Sequence, residues 1–138
     1  MFELLTGLIL VAGSVYLLFQ SFTPLRPIWS GATPADARVP TQFGQVPPRN
    51  YLAYLLWLVP GTFGVLMIGV VLLLRFAGAP EVLTPIFGWT GLGSLIVAVP
   101  LVPLHMLVSA TNRPRFLVPP PYRDEPGAIT SFLRRRRP

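Results

Sequence analysis

From Tyr51 to Arg75 the chain reads YLAYLLWLVPGTFGVLMIGVVLLLR, and the 24 residues from Tyr51 to Leu74 carry no charge. Wound as one helix at 1.5 Å per residue, they extend about 36 Å, against a hydrocarbon core about 30 Å thick. A helix on the surface of a soluble protein keeps a polar face, and this one is apolar on every side. It reads as a membrane span. Leu83 to Val108 repeats the pattern, with His105 as its one ionisable group, and Leu4 to Phe22 supplies a third stretch of the same kind.

Three spans, at about residues 4–22, 51–74 and 84–108, make this an all-α integral membrane protein. The membrane domain covers residues 1–110, with a connection at 23–50, and a tail follows at 111–138. Of the 138 residues 52% are apolar, which fits that division. The N-terminus lacks the basic region of a cleaved signal and carries Glu3 instead. Leu10-Val11-Ala12-Gly13-Ser14 approaches a lipoprotein site without its cysteine, so the first apolar stretch is read as a retained span.

Between the first two spans the composition changes abruptly. Residues 21–50 (SFTPLRPIWSGATPADARVPTQFGQVPPRN) hold six prolines and no sustained apolar period, which predicts an irregular, partly extended connection. Tyr51, Tyr54 and Trp57 cluster in the first turns of the second span, as an aromatic belt at the headgroups would. Pro60 predicts a kink there, eased by Gly61 and Gly64. Thr84-Pro85 reads as a helix start, and Pro100 and Pro103 as bends near the helix end. The tail NRPRFLVPPPYRDEPGAITSFLRRRRP is expected to be extended as far as Glu125.

All eleven basic residues are arginine, and 17 prolines accompany them, a bias that points to a GC-rich, bacterial genome. Three spans put the connection and the tail on one side, which then holds ten of the eleven arginines; Arg75 is alone on the other. The positive-inside rule makes the connection and the tail cytoplasmic and the N-terminus external, in a bacterial plasma membrane. The net charge of +6 is therefore read as an orientation signal, with anionic lipid rather than nucleic acid as its partner.

Chemistry is hard to find. The chain has no cysteine, which removes disulfides, thiolate metal sites and thiol nucleophiles together. No Asp, Glu, Lys or Arg lies inside a span, and proton or ion pathways normally depend on such groups. His105 offers one axial ligand at most, and is read as a polar residue near a helix end rather than as a cofactor ligand. Arg75 and Glu81 flank a short turn and are placed to pair on the surface, where a pair contributes about 0–1 kcal/mol. No catalytic, cofactor or metal site is expected, and the chain is read as no enzyme.

Association signals are more abundant. Thr84, Gly88, Gly91, Ser94 and Ala98 recur every three or four residues, forming one stripe of small side chains on the third span. Such a stripe lets a second helix backbone approach closely. Arg134, Arg135, Arg136 and Arg137, near Phe132 and Leu133, form a basic cluster suited to anionic lipid or a partner. Pro119, Pro120, Pro121 and Tyr122 approach the proline-rich patterns that extended-peptide readers bind. The reading that follows is a non-catalytic accessory or assembly subunit of a larger membrane complex, respiratory or transport, packing on other membrane subunits and clasping their cytoplasmic side. Its alternatives are a free-standing module whose basic tail recruits lipid or a soluble partner, and a small homo-oligomeric channel.

Overall fold

The computed structural model describes residues 1–127, 129 and 132. Helix α1 spans Phe2–Phe22, a short α2 spans Leu25–Trp29, and strands β1 (Val39–Thr41) and β2 (Gly44–Val46) form an antiparallel hairpin. A 3-10 turn at Pro48–Asn50 leads into α3 (Tyr51–Phe76), and α4 (Leu83–Thr111) follows a short turn. Two further 3-10 turns, Arg115–Leu117 and Pro120–Tyr122, shape the segment after α4. Among the described residues three helical stretches are long and apolar enough to cross a membrane: Phe2–Trp29, Pro48–Phe76 and Leu83–Thr111.

Helices α3 and α4 are each followed by a residue with positive φ, and each termination has a clear cause. After α3, Gly78 (φ +65°) lets its own N–H reach the Arg75 carbonyl at 3.2 Å while the Ala79 N–H reaches Leu74 at 3.0 Å. This is the paired bonding that closes a helix on a left-handed glycine. After α4 the same position falls to Asn112 (φ 58°), whose N–H bonds the Val108 carbonyl at 2.8 Å. Asparagine tolerates this conformation better than other non-glycine residues. Pro60, Pro100 and Pro103 all lie within unbroken helix. The helices absorb them as spans do, because neighbouring groups can serve the carbonyls that proline frees.

The chain divides into two compact units. The first, Met1–Gln20 with Leu58–Val99, is a three-helix unit with α3 in the middle. A Cβ added at Gly69 would stand 2.9 Å from the Leu10 Cβ on α1, and one at Gly64 would stand 2.9 Å from the Gly91 carbonyl on α4. Glycine is what allows α3 to approach both neighbours. The interior so formed is small: among the described residues its buried apolar side chains are Leu58 and Ala98. Phe2, Ile9, Phe19, Ile96 and Val99 are each more than three-fifths exposed.

The second unit, Ser21–Trp57 with Pro100–Pro138, holds most of the buried apolar side chains. Ile28, Val39, Tyr51, Ala53, Tyr54, Val108, Leu117, Val118 and Tyr122 form its core. The connection is more regular than the proline count predicts. Its hairpin pairs Val39 with Val46 and Thr41 with Gly44 across the two-residue tip Gln42-Phe43. The Thr41 hydroxyl closes the turn on the Gly44 carbonyl at 2.8 Å. The segment after α4 likewise departs from the extended form expected as far as Glu125, because its two 3-10 turns fold it back.

The expected aromatic belt also takes a different place. Tyr51 and Tyr54 are about 1% exposed, inside the second unit. The Tyr51 hydroxyl donates to the Ser21 carbonyl at 2.8 Å, and the Tyr54 hydroxyl to the Gln42 side-chain oxygen at 2.8 Å. Gln42 in turn donates to the Ser21 hydroxyl at 3.1 Å. A buried phenol needs such a partner, and the folded connection supplies it where solvent or headgroups were expected to.

Candidate functional site

The residues after α4 are bound into the second unit by a cluster centred on Asn112. Its backbone ends the helix, and its side chain, 5% exposed, turns towards the returning segment. The amide nitrogen donates to the Glu125 carbonyl at 2.6 Å, with longer approaches to the carbonyls of Tyr122 (3.4 Å) and Arg123 (3.5 Å). The short contact is the bond that counts, since the other two sit at the limit of useful geometry.

Around it, the connection and the tail hold each other. The Tyr122 hydroxyl donates to the Thr33 carbonyl at 2.6 Å. Arg49 donates through Nη1 to the Pro126 carbonyl at 2.8 Å and stands 3.8 Å from the Glu125 carboxylate. Gly31, at φ +76°, lies against Pro121: a Cβ there would come within 3.2 Å of the Pro121 Cγ. Gly127 is packed more tightly still. A Cβ on it would fall 2.6 Å from the Ala110 carbonyl oxygen and 2.6 Å from the Thr111 backbone carbon, atoms that cannot move aside cheaply.

The electrostatics of this clasp are mixed. Burial pushes the Glu125 carboxyl above its ordinary range, and the nearby Arg49 guanidinium opposes that rise without cancelling it. Burial also raises the Tyr122 phenol, helped by the Glu125 charge beside it. Among the described residues, the Arg49 Nε and the Asn112 Oδ1 are buried without a hydrogen-bond partner.

The small-residue stripe of α4 divides into two parts. Gly91, Ser94 and Ala98 face α3. The Ser94 hydroxyl donates to the Pro60 carbonyl at 2.7 Å, Gly91 lies against Met67 and Gly64, and Ala98 lies against Gly61. Thr84 and Gly88 instead line an open groove with Arg75 and Glu81, and nothing stands within 4 Å of where a Gly88 Cβ would be. Among the described residues Arg75 and Glu81 form no ion pair with each other.

Of the proline-rich motif, Pro119 and Tyr122 are buried and Pro120 and Pro121 exposed, so its aromatic residue is held by this chain's own connection. Arg134, Arg135, Arg136 and Arg137 lie outside the described residues. His105 stands edge-on to Tyr54, ring centroids 6.2 Å apart. Among the described residues its Nδ1 is buried without a partner, as is the Trp57 Nε1. No three His, Cys, Asp or Glu gather into a metal-binding group among the described residues.

Arg49 enters the sequence reading only as an orientation charge, and Thr33, Gly31 and Asn112 are not among its site residues. For Asn112 a signal was present: an asparagine directly after a long apolar helix, with Pro114 two residues on, marks a left-handed helix end. Comparison with protein-family models, curated proteins and solved structures finds no match to this chain.

Proposed function

We propose that this chain is a multi-pass protein of a bacterial plasma membrane and acts, without chemistry of its own, as an accessory or assembly subunit of a larger membrane complex. Its N-terminus is external, and its connection and tail are cytoplasmic. The observation that carries the reading is Phe116, which is 72% exposed on a segment otherwise tied down by Asn112, Tyr122 and Arg49. Arg113 and Arg115 precede it, both exposed. An aromatic residue and two arginines on a preorganised support are the composition of an interface anchor, because little conformational freedom is lost on binding. The apolar flanks of α1 and α4 give membrane subunits a second surface to cover.

Gentle detergent extraction followed by native mass spectrometry tests this. Stoichiometric foreign subunits, lost on Phe116→Ala, are the expected result. Retained anionic lipid without protein partners favours a second reading, in which Phe116, Phe43 and Trp29, all exposed, dip into the headgroup layer beside the arginines. A homo-oligomer points to a channel. Topology is checked separately by cysteine labelling at Ser30 and Ala77, which should react from opposite faces, Ala77 from outside. Ala77 suits this better than the neighbouring Gly78, whose positive φ a cysteine would strain.

A further inference from the structure

The helical unit contains a groove of about 720 Å³ beside the turn that joins α3 to α4. That volume falls within the usual range of ligand sites, about 300–1,000 Å³. At the end beside the turn its lining is polar: Arg75 in the last turn of α3, Glu81 in the connecting turn and Thr84 in the first turn of α4. The other end is apolar, formed by Val71, Gly88 and Trp89 and reaching Leu92. Thr84 and Leu92 are eight residues apart on one helix, so the groove passes from polar to apolar over about 12 Å. The missing side chain of Gly88 keeps its floor open.

We propose that this groove binds one zwitterionic phospholipid, with its headgroup between Arg75 and Glu81 and the start of one acyl chain along Gly88 and Trp89. Charge complementarity selects the occupant. Arg75 and Glu81 are exposed fixed charges of opposite sign on one rim, not paired with each other among the described residues. A guanidinium forks onto a phosphate, a carboxylate receives an ammonium group, and the Thr84 hydroxyl adds a donor for an ester or phosphate oxygen. An anionic lipid would satisfy Arg75 and be repelled by Glu81. An apolar helix would fill the floor and leave both charges without partners.

The proposal rests on the reading that these helices lie in a bilayer, so wild type and each variant are first tested for retention in carbonate-washed membranes. Release at that step overturns the membrane reading and the lipid assignment with it. The binding probe is dibrominated phosphatidylethanolamine added to purified protein in a neutral detergent. Trp89 serves as the reporter in a Trp29→Phe, Trp57→Phe background, and native mass spectrometry of the otherwise unaltered chain provides a second readout. Saturable quenching is expected, with apparent affinity lowered at least about tenfold by Arg75→Gln, as for a lost charge-assisted contact. Gly88→Leu adds bulk where a Cβ meets open space among the described residues, and should lower it similarly. Glu81→Gln should abolish the preference for phosphatidylethanolamine over phosphatidylglycerol. Quenching that does not saturate, or that Gly88→Leu leaves unchanged, overturns the assignment. So does mass spectrometry in which Gly88→Leu releases a protein subunit rather than a lipid, because the groove then belongs to a partner helix.

Discussion

At Asn112 the backbone and the side chain have separate tasks, and substitutions can tell them apart. Glycine keeps the left-handed φ and loses the amide bond to the Glu125 carbonyl, which should cost the docked tail about 1 kcal/mol. Alanine loses the bond and also strains the backbone, for about 2 kcal/mol or more. Aspartate should be worst near neutral pH, since its carboxylate would face carbonyl oxygens that need a donor. Hydrogen exchange of residues 118–127 reads this order directly, and equal protection in all three would show that Asn112 does not hold the tail. Glu125 makes a pH forecast. Its carboxyl is raised by docking, so the docked state favours the protonated form. Docking is then strongest below the ordinary carboxyl range and weakens as pH rises through the raised value. Exchange protection, corrected for the intrinsic rate, should therefore increase on acidification. Glu125→Gln should dock at least as well as wild type at neutral pH and lose the pH dependence, because the Asn112 bond is to the backbone.

At the scale of elements, periodicity worked where it was long and failed where it was short. Each long helix declares itself through nineteen or more uncharged residues, and the boundaries move by only a few residues: α4 runs to Thr111 rather than 108, because Asn112 ends it. The hairpin gave no such warning. Its strands are three residues each, one carries Pro40, and two-residue alternation cannot be seen over so short a run. The stripe on α4 was legible as a pattern, but which helix it met was not. Gly64 and Gly69 on α3 settle that by leaving room for α4 and α1 on separate faces; the sequence marks Gly64 only as easing a bend at Pro60 and does not mark Gly69. Gly91→Leu should accordingly separate α4 from α3 within this chain. Its Cβ would meet the Met67 Cβ at 2.9 Å and the Gly64 carbonyl at 3.1 Å, a conflict of about 1–3 kcal/mol. Gly93→Leu has open space around it and should stay within about 0.5 kcal/mol of wild type. Thermal unfolding in detergent separates the two, and equal midpoints would mean the helices do not rely on that approach.

For the whole molecule, the clasp changes what the tail is for. The sequence offers two signals in the tail, a proline-rich motif at Pro119 to Tyr122 for a partner and the arginines 134–137 for lipid or a partner. Through Gly127 it is instead a structural part of the second unit: Pro119 and Tyr122 are buried, and Leu117 and Val118 belong to the core. No single-residue pattern marks that, because its bonds join residues 77 and 89 positions apart. Two truncations therefore have different consequences. Ending the chain after Val118 removes Tyr122 and with it the bond to Thr33, and takes Glu125 and Pro126 from Arg49. The connection should then become sensitive to proteases around residues 31–38, and co-purifying subunits should be lost because the support of Phe116 has gone. Ending it after Gly127 keeps every one of those contacts and removes Arg134 to Arg137. This shorter loss should leave the connection protected. If the four arginines act through charge on lipid, it should remove on the order of 4 kcal/mol of surface attraction, most visibly at low salt. Replacing the four by lysine should then restore wild-type behaviour, whereas arginines that fork onto carboxylates or phosphates of a partner would not be replaced by lysine. Should both truncations leave the connection protected, the clasp is not what orders it, and Phe116 loses the rigid support on which the proposed interface depends.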